Sequence, residues 1–256
     1  MVNYVRCHDD SGWTFSDESA AKLNIHGNDH RRFLNNFYTG RFEGSFAHGL
    51  PFQENPKTGD MRISGTCASL AGLEKALREE TATEVDLAIR RILLIHAIVL
   101  TIGGIPLIYL GDEVGTLNDY SFREDSAKAA DSRWVHRPVT DWDKLSLRNN
   151  PGSVEGSIFQ GLRRLIEVRQ QHTVFGKAST EIIEADNDAI LAFTRLTDEE
   201  RMLVFANFSE GKQTIPANLL RIYGLSYTYR ELISGRQVDF EDIVLEPYGF
   251  ICLKAE

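Results

Sequence analysis

A chain of 256 residues, 42% hydrophobic and 25% charged, is long enough to bury a sizeable core as one large domain or two smaller ones. Its formal net charge of −9, with no basic stripe, argues against nucleic acid and anionic membrane surfaces as partners. Cys7, Cys67 and Cys252 are widely spaced and odd in number, so neither a disulfide framework nor a CxxC metal site is readable.

Val2 to Cys7 reads as a short strand rather than a signal peptide, and it leads directly into His8, Asp9 and Asp10. Residues 11–76 are irregular and rich in Gly, Asn, Asp and aromatic residues. A stretch of that kind is functional or a small subdomain, with short helices expected near Asp17–Leu23 and His30–Tyr38. Glu84 to Thr101 predicts a helix that is apolar on more than one stripe and stops at Gly103-Gly104. The apolar run Ile92–Ile105 carries His96 and is too short to span a bilayer, so a buried helix is expected, and with it a cytoplasmic protein. Ile105–Leu110 has the continuous apolar character of a parallel strand covered on both faces. After a polar loop, Ser157–Gln171 predicts a second helix, with Ile158, Leu162, Leu165, Ile166 and Val168 inward.

Beyond about Thr173 the rhythm changes to short β-type runs at Glu181–Ile183, Ile190–Arg195, Met202–Phe208, Gln213–Ile215, Tyr227–Leu232, Ile243–Leu245 and Gly249–Leu253. The chain is therefore expected to divide into an α/β part, 1–173, with its insertion at about 11–76, and an antiparallel β domain, 174–256.

The chemistry-bearing motif is Arg6-Cys7-His8-Asp9-Asp10, at the end of a predicted strand. A carboxylate beside a reacting sugar stabilises positive charge in an oxocarbenium-like transition state, and a neighbouring His holds a hydroxyl. By spacing alone a surface turn, a metal site or a structural hydrogen-bond knot remain open. Adjacent Asp112 and Glu113 point apart on an extended chain and read as loop anchors. His96 reads as a hydrogen-bonded core histidine, and Trp13, Phe15, Phe42, Phe46 and Phe52 as a small aromatic core. His26, His30 and His48 lack ligand spacing, so no metal site is expected.

Val5–Phe15 resembles the seventh barrel strand of amylosucrases, sucrose-dependent glucosyltransferases of the alpha-amylase superfamily. Gly44-Ser45-Phe46-Ala47, Pro51-Phe52-Gln53, Asn55-Pro56, Thr58-Gly59-Asp60 and Arg62-Ile63-Ser64-Gly65-Thr66 follow in the order of that family. So do Pro106–Gly115, Asp131-Ser132-Arg133-Trp134 and Ala206-Asn207-Phe208-Ser209. Cys7 stands where the family usually has Ser, and Ser11 where it has an apolar residue. The resemblance implies the last two strand–helix units of a (β/α)8 TIM barrel with an insertion, followed by an antiparallel β-sandwich.

By the same resemblance, His8 and Asp9 would bind the glucosyl ring and stabilise the transition state. Asp10 and Arg62 would face the fructose or acceptor side, with Arg31 and Gln53 further out. Arg133 would close the pocket floor by pairing with an Asp on an early barrel loop. The implied reaction cleaves sucrose and passes glucose to an α-1,4-glucan by a retaining double displacement, without a cofactor. The nucleophile and acid/base of that reaction are expected on strands preceding this segment. The missing N-terminal barrel half is thus an implied partner, because two strands cannot close a barrel, and the chain alone is expected to be inactive. A sucrose hydrolase on the same scaffold and a non-catalytic carbohydrate-binding module are the competing readings.

Overall fold

The computed structural model describes residues 1–256. It forms two compact units: one built from Met1–Val5, Arg90–Leu107 and Asn149–Glu256, the other from Arg6–Ile89 and Ile108–Arg148. Helices are found at Asp17–Ala21, Gly27–Tyr38, Cys67–Leu70, Leu73–Glu79, Ala82–Thr101, Val154–Gln171 and Ala217–Gly224. None of them is long and apolar enough to cross a membrane.

The first unit is dominated by a six-stranded antiparallel sheet. Its order is Gln237–Val238, Tyr229–Glu231, Phe250–Ala255, Arg201–Asn207, Ile190–Leu196, Ser179–Ile182. The two longest strands pair residue for residue, Ile190 with Asn207 through Leu196 with Arg201. Strand side chains alternate between faces, so each strand can feed two cores. Leu203, Phe205, Ile251 and Leu253 share one core with Ile215, Ile243 and Leu245 of a second, two-stranded sheet and with Leu220 of the Ala217–Gly224 helix. Phe193, Met202, Val204 and Cys252 face the other way and meet Val168 of the Val154–Gln171 helix, Val174, Phe175 and Leu232. The eight strand side chains named from the six-stranded sheet, from Phe193 to Leu253, are at most 6% exposed, so the sheet is covered on both faces.

Because Val168 belongs to that second core, the β strands do not form a unit cut off at residue 173. Packing follows the apolar face of the Val154–Gln171 helix across that position. The helix begins where Ser153 accepts a hydrogen bond from the Gly156 N–H, an N-cap that fixes its first turn.

The parallel pairing in this unit is short. Val2 and Asn3 pair with Ile105 and Pro106, and neither run extends to the predicted Cys7 or Leu110. Ile105 N–H donates to Met1 O and Leu107 N–H to Asn3 O, which closes the ladder. Gly103 and Gly104, both at positive φ, turn the chain between the Ala82–Thr101 helix and this strand. A Cβ at Gly104 would lie 2.9 Å from Met1 O, so the turn needs glycine for space as well as for backbone conformation.

The second unit contains the stretch expected to be irregular, and it is better ordered than that. Leu50–Phe52 and Arg62–Ser64 form an antiparallel hairpin, and two short helices follow at Cys67–Leu70 and Leu73–Glu79. Thr66 caps the first of these by accepting from Ser69 N–H. Asn118 ties the loops together, accepting from Thr66 N–H at 2.9 Å and donating its own N–H to Ser69 Oγ at 2.9 Å. The aromatic residues largely contact one another, with Phe37 edge-on to Phe46 at 5.0 Å and Trp13 beside Tyr38 at 5.2 Å. Trp13 also donates its indole N–H to Asn35.

Candidate functional site

The site lies wholly in the second unit and starts from the hairpin. Ser11 and Ile63 exchange both main-chain hydrogen bonds, at 2.9 and 2.8 Å, which lays the end of the His8–Ser11 segment along the Arg62–Ser64 strand. Ile63 is buried, so its neighbour Arg62 points outward by the alternation of a strand. Arg62 Nη1 then stands 3.3 Å from Asp10 Oδ2. The Asp10 side chain is only 8% exposed, whereas that of Arg62 is 60% exposed.

His8 and Asp9 are the open part of the site. His8 Nε2 lies 3.5 Å from Asp9 Oδ2, with the two side chains 68% and 53% exposed. The other Asp9 oxygen is 3.7 Å from both Arg133 Nη1 and Arg137 Nη2. Two guanidiniums on one carboxylate oxygen fix where its charge lies.

Arg133 is delivered by the Ser132–His136 turn. Asp131 caps that turn by accepting from Arg133 N–H, and its carboxylate also accepts from the Arg133 guanidinium, Nη2 at 2.9 Å. This hydrogen bond holds the Asp131 carboxyl below its ordinary range and raises Arg133. Ser132 Oγ donates to Pro51 O at 2.9 Å, fastening the turn to the hairpin, and the Arg133 guanidinium lies over the Phe52 ring at 4.6 Å. Within these 256 residues Arg133 pairs with its near neighbour Asp131 and stands 3.7 Å from Asp9 Oδ1, and the early-loop Asp expected for it is not among them.

Beneath the open residues runs a buried circuit. Arg6 Nε donates to Gly65 O at 2.9 Å, and its Nη2 donates to Asp9 O at 2.9 Å. Arg6 also hydrogen-bonds Ser11 Oγ. Gly65 N–H donates to His136 Nδ1 at 3.1 Å, so that nitrogen carries no proton. The proton of the neutral ring is then on Nε2, which donates to His8 O at 3.0 Å, and Arg137 Nε donates to the same carbonyl at 2.8 Å. Burial, with Arg6 and Arg137 nearby, lowers the His136 pKa to about 4, against a weaker upward pull from the His8 carbonyl and Asp10. Burial also lowers Arg6 from its ordinary value.

The structure joins His8, Asp9, Asp10, Arg62 and Arg133 in one cluster. Arg31 is engaged elsewhere: its Nη2 meets Asp17 at 2.7 Å and Asn28 at 2.9 Å, and its Nη1 donates to Phe15 O. Gln53 is exposed, at a left-handed φ of 52°, directly after Phe52. Arg6, His136 and Arg137 were not singled out from the sequence, although Arg6 opens the motif and Val135-His136-Arg137 directly follows Trp134. Glu113 acts as a loop anchor, accepting from Gly111 N–H at 2.7 Å. His96 is buried with Nδ1 2.8 Å from Ile92 O.

Donor atoms of Cys7, His8 and Asp9 lie within 4.8 Å of one another. Arg133 and Arg137 stand at one oxygen of the Asp9 carboxylate and His8 at the other, so we read the trio as part of the ion-pair cluster rather than as metal ligands.

Residues 180–251 match the model of the maltogenic amylase C-terminal domain. Over 178 residues the chain is 26% identical to glucosylglycerate phosphorylase of Escherichia coli K12, covering 69% of this chain and 30% of that protein. It is 26% identical over 160 residues to trehalose synthase of Thermus thermophilus, covering 53% and 16%, respectively. Alpha-amylase 3 of Dictyoglomus thermophilum is 24% identical over 176 residues, 65% of this chain and 34% of that one. The chain thus spans between 16% and 34% of the length of these relatives.

Among solved structures, AmyP in complex with maltose matches with a TM-score of 0.57 at 16% identity, over 72% of this chain and 37% of that one. Pullulanase from Anoxybacillus sp. LM18-11 complexed with maltotriose matches with a TM-score of 0.53 at 16% identity, over 75% and 26%. These two likenesses concern the fold. The match over residues 180–251, the part that holds most of the six-stranded sheet, makes that part of the chain similar to a C-terminal domain of the alpha-amylase superfamily.

Proposed function

We propose that the chain is the C-terminal portion of a retaining glucosyltransferase that acts on sucrose, as the resemblance to amylosucrases implies. In this reading His8 and Asp9 bind the glucosyl ring and stabilise its oxocarbenium-like transition state. Asp10 and Arg62 meet the fructose or acceptor side, and Arg133 braces the pocket. Arg31 and Gln53 belong to an outer acceptor surface. The parallel pair Val2–Asn3 and Ile105–Pro106 fits the last two strands of a (β/α)8 barrel.

The observation that carries the reading is the convergence on Asp9 of His8, Arg133 and Arg137 beside the Asp10–Arg62 pair. An exposed carboxylate fixed by cations on one side is arranged to meet a positive charge arriving from the other. A double displacement also needs a nucleophile and a separate acid/base, and both are assigned to residues outside these 256. Relatives about three to six times longer than the stretch they share with this chain support that assignment.

A second reading is glucosyl transfer to an anionic acceptor such as phosphate. It draws on the guanidiniums of Arg62, Arg133 and Arg137 around the site and on the likeness to glucosylglycerate phosphorylase. The test is fructose release from sucrose by the gene product read from the reading frame upstream of Met1, assayed with maltooligosaccharide, with phosphate, and with water alone. Fructose release with growth of the glucan supports transfer, and release that depends on phosphate supports the second reading. No release under any condition overturns the sucrose assignment. The 256-residue chain by itself is expected to release no fructose above background.

A further inference from the structure

We propose that His136 and Arg137 are positioning residues for the His8–Asp9 pair, acting through the His8 main-chain carbonyl. The proposal rests on the functional reading above for its catalytic meaning, but its geometry stands by itself. Two consecutive carbonyls, those of His8 and Asp9, are each gripped from below. His8 O receives the Nε2–H of His136 and the Nε–H of Arg137, and Asp9 O receives an N–H of Arg6. Gly65 closes the circuit: its N–H meets His136 and its carbonyl meets Arg6. The side chains of His8 and Asp9 can therefore stay open while the backbone that aims them is held at three points.

The circuit works in one protonation state. A proton on Nδ1 would remove the acceptor for Gly65 N–H and set a positive ring among Arg6 and Arg137, opposed by Asp10 beside the ring and by Asp112 and Asp9 beside the two guanidiniums. Burial keeps His136 neutral well below the ordinary range of a histidine. Arg137 has a double task, since its Nη2 also stands 3.7 Å from Asp9 Oδ1. One guanidinium thus fixes both the main chain of His8 and the carboxylate of Asp9.

The test uses the full 256-residue chain and needs no substrate. Two-bond proton–nitrogen spectra of the histidine rings should show His136 as the neutral Nε2–H tautomer at pH 7 and keep it neutral on titration to pH 5. Amide exchange should be about tenfold faster at Asp9–Ser11 in Arg137→Ala and in His136→Leu, the change expected from one lost hydrogen bond. Exchange at Leu203–Phe205, in the six-stranded sheet, should stay unchanged and so report that the fold is intact. His136→Gln, which keeps a donor near the Nε2 position, should restore part of the protection.

An Nδ1–H tautomer, titration in the ordinary histidine range, or Arg137→Ala with unaltered exchange at Asp9–Ser11 would each overturn the proposal. Should His136→Leu fail to fold, the wild-type spectra and Arg137→Ala still decide it. In the sucrose-cleaving protein Arg137→Ala should lower kcat about tenfold with KM nearly constant. Absence of sucrose cleavage in the wild type would sink the functional reading and leave the spectroscopic result standing.

Discussion

Two groups of arginines in this protein do opposite work. Arg169 and Arg195, in the unit that holds the six-stranded sheet, spend their donors on main-chain carbonyls. Arg195 is 2% exposed and reaches Ile102 O and Val174 O at 3.1 Å each. Arg169 donates to Gly104 O at 2.7 Å and to Phe175 O at 3.2 Å. The carbonyls of Ile102 and Gly104 lie just beyond the C-terminal end of the Ala82–Thr101 helix, where intrahelical partners run out, and those of Val174 and Phe175 lie in the short helical turn Val174–Lys177.

Arg62 and Arg133, in the other unit, face carboxylates near the surface, and Arg137 joins both kinds of work, with Nε on the His8 carbonyl and Nη2 near Asp9. Arginines of the first kind order the chain. Those of the second kind keep charge in a place a ligand can reach, and that difference separates a structural cation from a site cation more clearly than residue type does.

The largest effect that would test this contrast belongs to the buried group. Arg195→Met should strip the carbonyls of Ile102 and Val174 and the Thr180 hydroxyl of a donor. With each unsatisfied buried acceptor costing about 1–3 kcal/mol, the loss should be about 3–5 kcal/mol in urea unfolding. A change under 1 kcal/mol would mean that solvent reaches these carbonyls and that Arg195 is not a buried cap.

Next comes His136. Its folded pKa of about 4 lies below the 6.5 of a free histidine, so the unfolded chain binds the extra proton first as pH falls. The stabilisation is complete above pH 6.5 and lost on acidification through the folded value, amounting at most to roughly 3 kcal/mol. Stability followed from pH 7 to pH 4.5 should therefore fall more steeply in the wild type than in His136→Gln. Equal slopes would remove His136 from the account of acid sensitivity.

The smallest effect is expected at the surface. Arg62→Ala breaks an ion pair whose cation is largely exposed, so stability should change by less than about 1 kcal/mol. In the proposed glucosyltransferase the same substitution should shift the balance between hydrolysis and transfer. An unchanged product spectrum in both Arg62→Ala and Asp10→Ala would show that the acceptor side lies elsewhere.

Much of the sheet region was legible because its signals are local. Ile158, Leu162, Leu165 and Val168 recur at helical spacing behind the Ser153 cap, and they are the buried face of the observed helix. The strands Gln213–Ile215 and Ile243–Leu245 fall where alternating apolar residues predict them. The Ala217–Gly224 helix was passed over, since its eight residues lie between two runs read as strands and span little more than two turns. The part of the 11–76 stretch beyond residue 50 was read as irregular because strands of three residues and helices of four and seven give almost no periodicity.

At the site, the His8-Asp9-Asp10 motif was legible through a family resemblance. Its support was not, because the Gly65–His136 bond joins positions 71 residues apart through a main-chain atom that has no side-chain signature.

The central assignment is that Asp9 stabilises a positive transition state during sucrose cleavage. Its most direct measurement is fructose release from sucrose by the gene product that includes the upstream reading frame, comparing wild type with Asp9→Asn. A carboxylate that acts mainly on the transition state should cost about a hundredfold or more in kcat when neutralised, with little change in KM. An Asp9→Asn protein that cleaves sucrose at the wild-type rate would contradict the assignment.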